Sequence, residues 1–110
     1  MTRPTAERLV LTAPLGLWSG LDPETGRIRD ARHPQFGACI TGKALYLPGT
    51  TGSTSGPSVL ADCLRRGRGP RCIVLPRADA SILVATAVAK RLYGVDCPVQ
   101  IGSLDEATDC

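Results

Sequence analysis

Aromatic residues are scarce in this sequence: Phe, Trp and Tyr together make up 4% of its 110 residues. Proteins that bind single-stranded nucleic acids rely on aromatic side chains for base stacking, so this composition disfavours such a partner. The net charge of +3 is also too small to indicate a polyanionic partner. We therefore expect no nucleic acid partner and a core of aliphatic side chains, because apolar residues make up 43% of the chain.

We also expect no secretory signal, and no apolar run in the sequence reaches the roughly 18 residues of a membrane span. An odd number of cysteines with no C-x-x-C spacing predicts free thiols in a cytoplasmic protein that does not bind membranes. The cysteines form no cluster of the kind that holds an iron–sulfur group, so we expect no metal site on this chain. The five are Cys39, Cys63, Cys72, Cys97 and Cys110.

The length predicts one domain, residues 1–110, with a single core and no room for an enclosed substrate cavity of its own. Short apolar strands are predicted at 8–13, 44–47, 72–75 and 98–101. A helix from about Pro57 to Arg66 and a second helix, 80–92, alternate with them, and the second is apolar nearly all round, which predicts deep burial. This order predicts an α/β fold with a mixed sheet and two main helices.

Two loops stand out between these elements. Residues 14–37 are rich in glycine and proline and include the turn signature D-P-E-T-G at 22–26. Residues 48–57 read P-G-T-T-G-S-T-S-G-P and connect a strand to a helix, with Ser55 as the expected helix cap. Asp79 is expected to cap the second helix. A glycine-rich turn at a helix N-terminus directs backbone N–H groups to one point and favours negative charge there.

Familiar catalytic motifs are missing from the second loop. It has no Lys, so it is not a nucleotide P-loop, and Thr54 stands where the serine of G-x-S-x-G would be. His33 is the only histidine and is expected to form structural hydrogen bonds rather than to serve as a base. The residues alone therefore leave two readings open, a tight turn without chemistry or a site that stabilises an anion.

Three segments in order resemble the small subunit of the aconitase X family. They are A-P-L-G-L-W-S-G-L-D-P-E-T-G-R-I-R-D at 13–30, G-K-A-L-Y-L-P-G at 42–49 and G-S-T-S-G-P-S-V-L at 52–60. The resemblance implies a swivelling β/β/α domain that works with a large subunit carrying an iron–sulfur cluster. It further implies a cytoplasmic heterodimeric hydro-lyase (dehydratase) that is active only with that subunit. The implied substrate is a small hydroxy acid, cis-3-hydroxy-L-proline or 5-phosphomevalonate.

The resemblance also implies roles within the loop. Ser53 follows the loop glycine and corresponds to the family's proton acceptor. Thr51, Gly52, Thr54 and Ser55 would shape the substrate site, while the partner's cluster would take the leaving hydroxide. Family members often carry Arg or Lys where this chain has Thr51, which favours a substrate without phosphate. They also usually have a strand before residue 8; either the start of this sequence is displaced or a partner completes that edge of the sheet.

A serine needs help to act as a base. With water as a guide, its pKa of about 15.7 must fall by about 8 units, or about 11 kcal/mol. A helix N-terminus supplies about 0.3–1 kcal/mol, and about 2 kcal/mol when partly buried. A catalytic Ser53 therefore requires cationic groups, a metal cluster or the substrate complex on a second chain. The alternatives are another hydro-lyase or isomerase substrate within the family, or a non-catalytic binding or regulatory module that retains the fold.

Overall fold

The computed structural model describes residues 7–52 and 55–102. Eight strands and three helices are found in these ranges. In chain order they are β1 (Arg8–Val10), β2 (Leu15–Gly16), α1 (Leu17–Gly20), β3 (Leu21–Asp22), β4 (Arg27–Ile28), β5 (Ala44–Tyr46), β6 (Thr50–Thr51), α2 (Gly56–Arg65), β7 (Cys72–Leu75), α3 (Ala80–Tyr93) and β8 (Val99–Ile101).

The main sheet contains the four strands that the sequence predicts, in the order β1-β5-β7-β8, and all of its pairs are parallel. Helices α2 and α3 cross from β5 to β7 and from β7 to β8, and they pack against each other on one face. Antiparallel pairing occurs in the small β3–β4 sheet, so the domain as a whole mixes both kinds. The predicted α/β class with two main helices is confirmed.

One hydrophobic core joins the sheet, the two helices and the turn-rich segment. Leu45 and Ile73 of the sheet, Leu60 of α2 and Ile82 of α3 all belong to it. Four aliphatic side chains extend it into the segment 14–37 and are as buried as those of the sheet: Leu15, Leu17, Leu21 and Ile28. The aromatic side chains of Trp18 and Phe36 in this segment are more than half exposed, so the long loop is packed into the core through its aliphatic residues only.

The D-P-E-T-G segment forms the turn between β3 and β4, as the sequence predicts. The Gly26 amide donates to the Asp22 carbonyl over 2.8 Å, and Gly26 has a φ of +75°. A Cβ at Gly26 would collide with the Thr41 side chain and the Arg68 carbonyl. Glycine is therefore required both by the backbone conformation and by the space.

The expectation that α3 is deeply buried is wrong. Ile82, Ala85 and Ala89 face the core, but Val84 and Leu92 are 51% and 67% exposed. The helix covers one side of a sheet only four strands wide, so its outer side has nothing to pack against in the described part of the chain. Because α3 carries apolar residues on both its core-facing and its outer side, the sequence alone does not show which side is buried.

The expectation of five free thiols is also wrong. Cys39, Cys63 and Cys97 are free, but Cys72 is disulfide-bonded. Spacing along the chain does not reveal which cysteine side chains meet in space. None of the helices among residues 7–52 and 55–102 is long and apolar enough to cross a membrane. Strand β1 lies at the edge of the described sheet, while the segment 1–6, where the family strand would lie, is outside the described residues.

Candidate functional site

The glycine-rich loop lies at the carboxyl edge of the main sheet. It follows β5, and the segment containing Asp79 follows the adjacent parallel strand β7. Because carboxyl ends of neighbouring parallel strands meet at one edge, these two connections are brought together. This edge is where open α/β sheets hold their ligands.

Asp79 bonds the loop to the start of α3. Its Oδ2 accepts the Thr50 amide over 2.8 Å, and its Oδ1 accepts the Ile82 amide over 3.2 Å. The Thr50 hydroxyl lies 3.0 Å from each carboxylate oxygen. The predicted cap on α3 is therefore confirmed, and the same carboxylate also holds a residue 29 positions earlier in the chain.

The pKa of Asp79 reflects these contacts. Partial burial would raise it, but hydrogen bonds from the Thr50 and Ile82 amides and from the Thr50 hydroxyl stabilise the charged form. The net result is a pKa below the ordinary value of 3.8. The carboxylate is therefore ionised at neutral pH and acts only as an acceptor of hydrogen bonds.

The other side of the loop is held by the segment A-P-L-G-L-W-S-G. Strand β2 pairs in parallel with β6, which sets Leu15 opposite Thr50 and Gly16 opposite Thr51. A Cβ at Gly16 would lie 3.4 Å from the Thr51 hydroxyl. The Leu15 amide also donates to the Gly49 carbonyl over 3.1 Å, so the segments 13–30 and 42–49 that resemble the aconitase X family are in direct contact. The loop is therefore held on one side by β2 and on the other side by Asp79.

The loop becomes exposed beyond its contacts with β2 and Asp79. Thr51 and Gly52 are exposed, and Gly52 has a φ of +103°, a conformation that favours glycine. Ser53 and Thr54 lie outside the described residues, so their predicted roles as proton acceptor and substrate contact stay predictions. The described chain resumes at Ser55.

The predicted side-chain cap on α2 is wrong. Ser55 occupies the N-cap position, but its own backbone is helical, with φ −82° and ψ −10°, and its side chain makes no cap hydrogen bond. An N-cap side chain reaches the helix amides from an extended backbone, as Asp79 does. Pro57 does lie in the first turn, as expected.

His33 is structural, as predicted. Its Nδ1 lies 3.0 Å from the Gln35 amide, which can only donate, so the ring proton is on Nε2. Nε2 in turn lies 3.1 Å from the Ala13 carbonyl and donates to it. The ring is 8% exposed and joins the start of the A-P-L-G segment to the chain after β4.

An open cavity of about 630 Å³ lies against α1 and α2. Trp18, which is 56% exposed, and Arg29 line it, and the Arg29 guanidinium donates to the Trp18 carbonyl over 3.1 Å. Asp22 and Glu24 line the same cavity. Its walls carry charges of both signs and so offer no general preference for an anion.

The free cysteines do not fit an iron–sulfur cluster. An iron–sulfur cluster needs about three or four thiolates grouped around it, whereas Cys63 and Cys97 are buried and their pKa is raised to about 12 in each case. Across residues 7–52 and 55–102, no group of three or more His, Cys, Asp or Glu side chains could hold a metal ion.

Sequence reasoning missed the link between Asp79 and Thr50. It identified Asp79 only as a cap, because a hydrogen bond across 29 residues has no local signature. A usable signal was present in the predicted order of elements. Two consecutive strands joined by a crossover helix place the residues after each strand at the same edge, which would have paired the two connections.

The chain is similar in sequence to proteins that are named as dehydratases or dehydratase subunits. Over 92 residues the chain is 37% identical to the cis-3-hydroxy-L-proline dehydratase of Pseudomonas aeruginosa, covering 82% of this chain and 16% of that protein. Over 103 residues it is 35% identical to the phosphomevalonate dehydratase small subunit of Methanothermobacter thermautotrophicus, covering 92% of this chain and 78% of that subunit. The chain thus spans about one sixth of the first relative and most of the second.

The fold has a solved counterpart. The crystal structure of Thermococcus kodakaraensis aconitase X in its holo-form matches with a TM-score of 0.81 and 27% identity, covering 94% of this chain and 76% of that one. The family model for the aconitase X swivel domain matches residues 2–108. With nearly the whole sequence matched and the same arrangement of strands and helices, the chain belongs to the aconitase X swivel-domain family.

Proposed function

We propose that this chain is the small subunit of an aconitase X-type hydro-lyase, with Ser53 as the proton acceptor. The observation that carries the proposal is the attachment of the loop on both sides. Just before Ser53, the loop is paired with β2 on one side and hydrogen-bonded to Asp79 on the other. Such fixed backbone is what a catalytic group needs if it is to stay in place during the reaction. Relatives at 37% and 35% identity carry dehydratase names.

The reaction removes one molecule of water from the substrate. The deprotonated Ser53 oxygen takes a proton from the carbon next to a carboxylate, the adjacent C–O bond breaks, and hydroxide leaves as a C=C bond forms. Proton and hydroxide together account for the water. Gly52 allows the chain to turn at the residue before Ser53, and Thr51, Thr54 and Ser55 shape the substrate site.

A second subunit is an essential part of this proposal. The charged group bonded to the described loop is Asp79, an anion, which opposes deprotonation of a nearby serine. The helix N-terminus offsets about 0.3–2 kcal/mol of the roughly 11 kcal/mol required. We propose that a large subunit supplies the rest, and that it carries the iron–sulfur cluster, since the described cysteines of this chain do not fit one.

The proposed substrate is cis-3-hydroxy-L-proline rather than 5-phosphomevalonate. Thr51 is exposed and uncharged where a cation would favour phosphate, and the neighbouring Asp79 carboxylate repels a dianion. Relatives named for both substrates match this chain at similar identity, so the proposed choice rests on the loop chemistry.

The test is reconstitution. The large subunit is co-purified with the tagged chain from native extract, and turnover of each substrate is measured with the pair and with this chain alone. We expect the chain alone to be inactive and colourless, and the pair to dehydrate cis-3-hydroxy-L-proline. Turnover of 5-phosphomevalonate alone would reverse the choice of substrate. A stable pair that turns over neither would favour the non-catalytic binding or regulatory module.

A further inference from the structure

Asp79 is placed to do more than cap a helix. A serine or asparagine cap needs one oxygen, but Asp79 uses two: Oδ1 receives the Ile82 amide and Oδ2 receives the Thr50 amide. The Thr50 hydroxyl, at 3.0 Å from both, completes the contact. A cap alone would leave Oδ2 to solvent, so the second half of the carboxylate serves the loop.

The loop also approaches Asp79 closely through its backbone. A Cβ at Gly49 would lie 3.4 Å from the Asp79 Oδ2, so the backbone approaches the carboxylate closely. Two residues, Thr51 and Gly52, lie between Thr50 and Ser53, and a Cβ at Gly52 would meet no atom within 4 Å in the described part of the chain. The position of the loop thus depends on the contacts at Thr50 and Thr51.

We infer that Asp79 is a positioning residue for catalysis, which locks the base of the loop to the start of α3 and so fixes where Ser53 meets the substrate. The inference rests on the proposed role of Ser53. A misplacement of about 1 Å can cost about 10²-fold in rate, so the loss of one loop contact is expected to lower turnover without removing any reacting group.

The Asp79→Asn substitution separates the two roles. Asn is as good an N-cap as Asp, and its single oxygen can accept the Ile82 amide. Its amide group offers only donors in place of Oδ2, where the Thr50 amide also donates. The variant is therefore expected to keep α3 and release the loop. Thr50→Val removes the hydroxyl from the other side, and Thr50→Ser restores it.

Two measurements test the inference. In the chain alone, hydrogen exchange of the Thr50 amide should become at least about 10-fold faster in Asp79→Asn, because its acceptor is lost. In the reconstituted enzyme, kcat on cis-3-hydroxy-L-proline should fall about 10-fold or more with little change in KM. The kinetic isotope effect with substrate deuterated at the proton-donating carbon should rise, since proton removal becomes slower relative to other steps. Thr50→Val should likewise lower kcat and raise the isotope effect, and Thr50→Ser should restore both.

The control is Asp62→Asn, which neutralises a carboxylate that pairs with Arg65 and Arg66 near the C-terminal end of α2. It should alter stability but not the isotope effect. If Ser53→Ala abolishes turnover while Asp79→Asn retains a normal kcat and isotope effect, the positioning role is wrong and the proposed function stands. If Ser53→Ala is active, the proposed function fails and the positioning role fails with it. Unchanged exchange at Thr50 would also overturn the inference.

Discussion

Helices α2 and α3 both follow a strand of the parallel sheet, yet their first turns are completed differently. In α3 the Asp79 side chain accepts the Ile82 amide, whereas Ser55 makes no cap bond to α2. Helix α3, whose first turn is capped, holds the loop through Asp79, whereas the loop itself runs into α2, which has no side-chain cap. Structural and proposed catalytic roles are thus divided between two helix ends at the same edge of the sheet.

The same two helices differ in how they are buried. Leu64 of α2 is 2% exposed, and the backbone of Gly69 packs directly on it, whereas Leu92 of α3 is 67% exposed. Truncation to Ala should therefore cost about 2–5 kcal/mol at Leu64 and less than about 0.5 kcal/mol at Leu92. Urea unfolding of both variants measures this, and equal losses would mean that the outer side of α3 is covered in the free chain.

The next largest effect concerns the two serines near the start of α2. Ser53→Ala should reduce turnover of the reconstituted enzyme by about 10²-fold or more with unchanged melting temperature. Ser55→Ala should retain most of the turnover. A catalytic assignment for Ser53 does not survive near-normal turnover by its alanine variant.

The start of α3 gives the third effect, which depends on pH. Asp79→Ala should cost about 1–2 kcal/mol at pH 7. Because the pKa of Asp79 is lowered in the folded state, its stabilisation is complete above the ordinary value of 3.8 and is lost as pH falls through the folded pKa. The gap between wild type and variant should therefore narrow below about pH 4. A gap that stays constant from pH 7 to pH 3 would contradict this.

The smallest effect is expected at the start of α2. Ser55 makes no side-chain cap bond to α2, so Ser55→Ala should lower the free energy of unfolding by less than Asp79→Ala, which removes a cap. Thermal unfolding alongside Asp79→Ala gives the comparison directly. A loss as large as that at Asp79 would show that both helix starts are capped after all.

The sequence predicts the regular elements well for physical reasons. Each main strand is a short apolar run between turn residues, and Asp79 and Gly94 mark the ends of α3 as they would in an isolated helix. Strands β2, β3, β4 and β6 have two residues each, too few to show any periodicity. They form because distant segments meet, as when Leu15 pairs with Thr50.

The candidate site was predictable only in part, for a related reason. Motif spacing places Ser53 in the loop, but the backbone angles that disqualify Ser55 as a cap depend on how the loop enters the helix. The partner of Thr50 depends on which strands are neighbours. Local patterns thus identify the chemical groups, and the sheet order decides which groups meet.

The order of strands in the main sheet also has a kinetic consequence. Positions β1-β5-β7-β8 follow the order of synthesis, so each strand can add to the free edge of a sheet already begun. The loop leaves the ribosome before its anchor, because Thr50 precedes Asp79 by 29 residues. A nascent chain that ends before Asp79 therefore has three of its main strands but lacks the carboxylate that binds Thr50, and the proposed active geometry is complete only when the start of α3 has been made.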